Sequence, residues 1–130
     1  MAEETGLLLE LKLACNEHAP ATVREALAGV SEGEPAFGDA MLVASELVTN
    51  AVRHSGGAGD DRLEVLAARR GEDLIISVTD PGASGHTARS RGPTNEGFEG
   101  LGLLIVQQLA TEWGEERGDG YRVWARVPLF

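Results

Sequence analysis

From Pro35 to Ser55 the apolar residues Met41, Ala44, Leu47, Val48, Ala51 and Val52 recur at spacings of three and four, and Gly56-Gly57 ends the pattern. This is the period of an α-helix with one apolar face, and such a face is stable only when a second layer covers it. The other segments offer that layer as strands. Leu7 to Ala14 alternates Leu9, Leu11 and Leu13 on one side with Glu10 and Lys12 on the other. Arg62 to Ala68 and Asp73 to Thr79 are β-rich runs around a turn at Arg70-Gly71 and predict a hairpin. A further helix is expected over about Ala19 to Ser31, with Pro20 in its first turn, Val23, Ala26, Leu27 and Val30 at helical spacing, and Gly33 close to its end. Leu101 to Trp113 returns to helical spacing through Leu103, Leu104, Val106, Leu109 and Ala110 and is ended by Gly114, after which Gly118-Asp119-Gly120 leads into a strand over Tyr121 to Val127. The order β α α β β loop α β β predicts an α+β fold, a two-layer α/β sandwich with a mainly antiparallel mixed sheet and about three helices on one face.

At 130 residues the chain has the size of one compact domain, and 1–130 is read as a single unit. Eleven basic against twenty-one acidic side chains give a net charge of −10, which repels a polyanion and argues against general nucleic-acid binding. Cys15 is the lone cysteine, so there is no disulfide framework and no Cys-based zinc motif, as suits a reducing cytoplasm. No apolar run approaches the roughly 18 residues of a membrane span, and the acidic start Met1 to Gly6 is unlike a signal peptide. A soluble cytoplasmic protein is expected. Seventeen glycines, about double the usual share, imply loops that need positive backbone dihedrals or close approach to a ligand.

Three places carry polar groups in positions suited to chemistry. Glu46, Asn50 and His54 follow one another at steps of four on the second helix, each step drifting only about 40°, so a carboxylate, an amide and an imidazole share one face. The same triplet is also compatible with an ordinary solvated helix face, and it does not match a zinc helix, which needs two His residues four apart plus a further ligand. Asp80 ends the most apolar strand and is followed by Pro81-Gly82, so a carboxylate stands at the sheet rim beside a turn with no side chain to block a planar ligand. Asp-Pro-Gly is also a common strand-ending turn. Gly100-Leu101-Gly102 immediately precedes the helix at Leu103, which puts bare amides at a helix N-terminus, where phosphate oxygens are favoured. Between the last two sites, Pro81 to Phe98 has almost no apolar periodicity and reads as a long loop, and loops of that length are often functional. A Walker A sequence and the motif set of ordinary protein kinases are absent.

In this order ELVTNAVRH, VTDPGASG and EGLGLLIVQQLATEWG resemble the N box, first Gly box and second Gly box of the Bergerat-fold (GHKL) ATPases, which include gyrase, heat-shock chaperone and histidine kinase ATP domains. The resemblance runs from Leu7 to Val127. Within that superfamily the chain is most similar to the stand-alone bacterial anti-sigma-factor serine/threonine kinases, because it carries no dimerisation helix with a phosphoacceptor His and no second domain. The resemblance implies ATP and Mg²⁺ as cofactors, with Glu46 as general base and Asn50 as the ligand of a Mg²⁺ bound to the phosphates. It implies that Asp80 accepts the adenine amino group, that Gly82 lets the ring approach, that Gly100, Gly102 and Leu103 wrap the phosphates, and that about 81–99 is an ATP lid. For His54 two roles stand open, facing the lid or phosphate, or packing as a helix-end residue.

Two departures from the family pattern bear on these roles. The second Gly of the first box comes one place late, at Gly85, and Leu101 stands where close relatives often have Arg, leaving His86, Arg89 and Arg91 as the nearest cations for phosphate. The implied function is a kinase that binds a sigma factor and phosphorylates an anti-anti-sigma protein, as a homodimer whose acidic surface suits a basic partner. A module that binds ATP or only a protein partner without transfer, and a simple ATPase, remain as alternatives. Retention of Glu46 favours transfer, whereas Leu101 favours the module.

Overall fold

A computed structural model describes residues 5–31, 34–54, 62–80, 100–118 and 120–129. Strand β1 (Thr5–Ala14) leads to helix α1 (Ala19–Ser31), a single 3₁₀ turn over Pro35–Phe37 and helix α2 (Gly38–His54). The hairpin β2 (Arg62–Arg70) and β3 (Asp73–Asp80) follows, and helix α3 (Gly100–Leu109), β4 (Glu112–Arg117) and β5 (Tyr121–Pro128) complete the described chain. The five strands form one sheet in the order β1-β2-β3-β5-β4, and every neighbouring pair is antiparallel. The three helices and the antiparallel sheet make the two-layer α+β sandwich that the element order predicts.

Alternation along the strands decides what lies between the layers. Leu63, Val65 and Ala67 of β2, Leu74, Ile76 and Val78 of β3, and Val123, Ala125 and Val127 of β5 are all buried, while their neighbours in sequence are mostly part-exposed. Register lines them up: Val65 lies opposite Val78, which lies opposite Val123. Helix α2 covers this face with Ala40, Val43, Ala44, Leu47, Val48 and Ala51, none more than 5% exposed. Helix α1 buries Ala19, Val23, Leu27 and Ser31, spaced by four, and packs on α2 and β1. Its entry is held by Asn16, whose Oδ1 accepts the His18 N–H at 2.8 Å. The β2–β3 turn is Gly71-Glu72, with Gly71 in the left-handed region at φ 62°, where a side chain would be strained.

β1 is an outer strand of the sheet, as the sequence order implies, and its register with β2 slips between Leu7 and Leu9 so that Leu8 is an extra residue. Beyond that bulge, Leu9, Leu11 and Leu13 lie opposite Ala67, Val65 and Leu63 and pack on the core.

Two boundaries differ from the reading of the sequence. Helical spacing predicts a helix from Leu101 to Trp113, but α3 runs from Gly100 to Leu109, and Trp113 lies in β4 opposite Ala125. The reason is a long-range hydrogen bond: the Thr111 N–H donates to the Arg126 carbonyl at 2.8 Å, which carries the chain into the sheet. Trp113 packs on the core all the same, so its apolar spacing served two structures equally well. Val30, expected on the buried stripe of α1, is 36% exposed, since the stripe follows Val23, Leu27 and Ser31.

Candidate functional site

Of the polar residues singled out on α2, Asn50 does not lie on a solvated face. Asn50 is 4% exposed, Glu46 is half-buried, and the buried stripe of α2 centres near Ala40, Leu47 and Ala51. At about 100° per residue Asn50 stands on the flank of that stripe and Glu46 about 40° further out, on the side turned away from the core. Helix α3 packs against α2. Among the described residues the Asn50 Nδ2 donor has no hydrogen-bond partner. A buried N–H₂ left unsatisfied costs about 1–3 kcal/mol, so the amide is a group that a polar ligand can complete. His54 is the last residue of α2, and its side chain lies outside the described residues.

Asp80 is the last residue of β3 and is 1% exposed. It continues the alternation Leu74, Ile76, Val78 and therefore belongs to the helix-facing side of the sheet, not to a solvated strand-ending turn. The sequence alone does not separate those two settings. A carboxylate on that side can accept a hydrogen bond from a ligand amine in a low-dielectric environment, where such a bond is strong. Directly opposite Asp80 on β5 stands Tyr121, 2% exposed, and opposite Tyr121 on β4 stands Arg117, whose guanidinium carbon is 5.5 Å from the tyrosine ring centroid. Tyr121 and Arg117 escape the sequence reading, in which Tyr121 is only the first residue of a strand. The Gly118-Asp119-Gly120 turn signals that strand, but what faces Tyr121 depends on pairing with β3.

Gly100 to Leu103 form the first turn of α3, rather than a turn preceding it, and that turn holds no acidic side chain to compete for its free amides. Leu103 is half-buried and packs on the core. The side chain of Leu101, together with Gly82, Gly85, His86, Arg89, Arg91 and the whole of the expected lid at 81–99, lies outside the described residues. Among the described residues no cluster of three His, Cys, Asp or Glu side chains could cage a metal. Asn50 brings one hard side-chain oxygen, Oδ1, of the kind a Mg²⁺ ion accepts as a ligand.

No helix among the described residues is long and apolar enough to cross a membrane. A family model described as the histidine kinase-, DNA gyrase B-, and HSP90-like ATPase matches residues 38–130. The nitrogen regulation protein NtrY of Azorhizobium caulinodans is 33% identical over 116 residues, which cover 73% of this chain and 15% of that protein. Among solved structures, the RsbU and RsbW domains of Rv1364c from Mycobacterium tuberculosis match with a TM-score of 0.59 and 26% identity, over 92% of this chain and 32% of that one. The histidine kinase domain of the blue-light activated histidine kinase EL346 from Erythrobacter litoralis shares the fold, with a TM-score of 0.54 and 22% identity over 85% of this chain and 59% of that one. The chain thus spans less than two thirds of each of these relatives.

Proposed function

The chain belongs to the histidine kinase-, DNA gyrase B-, and HSP90-like ATPase family, and on that premise we propose that it is an ATP-dependent serine/threonine protein kinase of the cytoplasm that binds a sigma factor and phosphorylates an anti-anti-sigma protein. The observation that carries the nucleotide site is a pair of buried polar groups: the Asp80 carboxylate on the helix-facing side of the sheet, and the Asn50 amide whose Nδ2 has no partner among the described residues. The similarity to a structure of RsbU and RsbW domains supports the regulatory half of the reading.

In this reading Asp80 accepts a hydrogen bond from the exocyclic amine of adenine, with Gly82 leaving room for the ring. The amides of Gly100, Leu101, Gly102 and Leu103 point at the phosphates from the start of α3, where the helix dipole also favours negative charge. Mg²⁺, held by the Asn50 Oδ1 and phosphate oxygens, would offset charge that develops on the transferring phosphoryl group. Glu46 is the general base. It takes the proton of the incoming serine or threonine hydroxyl as the new O–P bond forms and the bond between the γ-phosphorus and its bridging oxygen breaks, ADP departing with that oxygen. Glu46 is half-buried, which leaves it reachable by a protein substrate.

Homodimer formation is part of the proposal. It is supported by the position of β1 at the sheet edge, with Leu7 59% exposed, because an outer strand offers unpaired backbone groups to a second chain. The deciding experiment is transfer of radiolabel from γ-labelled ATP to candidate partner proteins. Label on a partner serine or threonine is the expected result, whereas ATP binding with no label on any protein and no released phosphate would leave the non-transferring module, and phosphate release alone would leave the ATPase.

A further inference from the structure

The two outer strands of the sheet carry different charge. β4 has Glu112, Glu115 and Glu116 against Arg117, so a second copy laid along it would meet like charge. β1, TGLLLELKLA, carries one charge of each sign, Glu10 and Lys12. In a chain of net charge −10 this is the outer strand that can approach its own copy without local repulsion.

The pattern along β1 also limits how two copies can align. Strands related by a twofold axis run antiparallel, and directly opposite residues lie on the same face of the sheet, so the axis must pass at a residue. With the axis at Leu11, Glu10 of each copy stands opposite Lys12 of the other, Leu9 opposite Leu13, and Leu8 opposite Ala14. An axis at Glu10 or at Lys12 sets that residue against its own copy, like charge on like. An axis at Leu9 draws the pairing across the irregularity between Leu7 and Leu9, and one at Leu13 leaves only Lys12 to Ala14 within both strands.

Both faces of the strand favour Leu11. Glu10 and Lys12 are exposed, and among the described residues neither makes an ion pair. Lys12 lies opposite Glu64 on β2, so charge would alternate across the joint from Glu64 to Lys12 to Glu10 of the second copy. On the helix-facing side Leu9, Leu11 and Leu13 pack on the core but stay part-exposed, whereas Ala67, Val65 and Leu63 opposite them are at most 1% exposed. A further strand on the open side would cover the rest of these leucines.

We propose that β1 is a self-recognition strand: two copies of this chain join their β1 edges about a twofold axis at Leu11, in one continuous antiparallel sheet held by backbone hydrogen bonds, a row of leucines and two Glu10–Lys12 pairs. The inference deepens the homodimer of the proposed function and rests on that part of it. Asp80 ends β3 at the same end of the sheet as Ala14, so the twofold carries the two Asp80 carboxylates to opposite ends of the joined sheet.

The test uses the full chain in sedimentation over a concentration series. Glu10→Lys brings the net charge from −10 to −8, which by itself favours self-association, yet it sets lysine against lysine at both charged pairs. The dimer should weaken at least about tenfold, and Lys12→Glu should weaken it likewise. An equal mixture of the two variants should recover a dimer of near wild-type strength, since every pair across the axis again joins opposite charges, a rescue that damaged strands could not give. In a Cys15→Ala chain, Leu11→Cys should link to its own copy on oxidation, because directly opposite Cα atoms about 4.5–5.5 Å apart lie within disulfide reach; Leu9→Cys, which stands opposite Leu13, should not. An unchanged or tighter dimer in Glu10→Lys, no recovery in the mixture, or linkage in Leu9→Cys in place of Leu11→Cys would overturn this register and leave a homodimer standing. A wild-type chain that is monomeric throughout would overturn both and give the β1 edge to another protein.

Discussion

Asp80 and Glu46 are both carboxylates at polar positions of the sequence, yet their surroundings separate them: one is 1% exposed at a strand end, the other half-buried on the flank of α2. Their substitutions should therefore fail in different ways. Asp80→Asn keeps the shape of the side chain but replaces one acceptor oxygen with a donor, which in the proposed site would face the adenine amine. ATP affinity should fall by about 1–3 kcal/mol, or roughly 5- to 150-fold, as read by calorimetry; unchanged affinity would remove Asp80 from the adenine site. Glu46→Ala should bind ATP as before and transfer phosphate about 10²- to 10⁴-fold more slowly, the usual contribution of a positioned base. Undiminished transfer would make Glu46 a residue of the helix surface only. Spacing in the sequence places Glu46 and Asn50 on one helix face, but it treats them as equivalent. That Asn50 is buried follows from its position beside the core stripe of α2.

Helix α2 is the element on which the others converge, since it packs against α1, α3, β3 and β5. Leu47, fully buried at its centre, shows the energetic scale: Leu47→Ala should cost about 2–5 kcal/mol, a large fraction of the stability of a domain this size. Denaturant unfolding should show a lower midpoint with an unchanged slope. At the other side of the sheet β4 is less deeply held, and Gly114 is its tight point. A Cβ at Gly114 would lie 3.0 Å from three atoms of the Trp124 indole. Gly114→Ala should therefore displace that ring, shift tryptophan emission and lower stability by about 1–3 kcal/mol, and an unaltered emission spectrum would contradict the contact. α2 was legible because its period is carried by many residues. The end of α3 was not, because Leu109, Ala110 and Trp113 keep a helical spacing that the Thr111–Arg126 hydrogen bond overrides.

At the scale of the molecule, charge and edges govern association. A chain of net charge −10 in which β1 is an outer strand of the sheet should form a dimer through short-range backbone bonds, and it should bind a basic regulator through long-range attraction. Salt then distinguishes the two: raising it should weaken the hetero-complex and leave or strengthen the homodimer, as measured by sedimentation over a salt series, and the opposite order would refute this division of forces. What the sequence by itself determined are the properties carried by neighbours along the chain: the helical period of α2, the alternation of β1 to β3, the turn at Gly71, and three ordered motifs whose family the comparisons bear out. Only the tertiary structure decided the strand order β1-β2-β3-β5-β4, the pairing of Asp80 with Tyr121 and the burial of Asn50. The physical reason is range. Period and turn chemistry are written in residues a few positions apart, whereas register and burial arise from contacts between segments tens of residues apart, which a pattern of near neighbours leaves free.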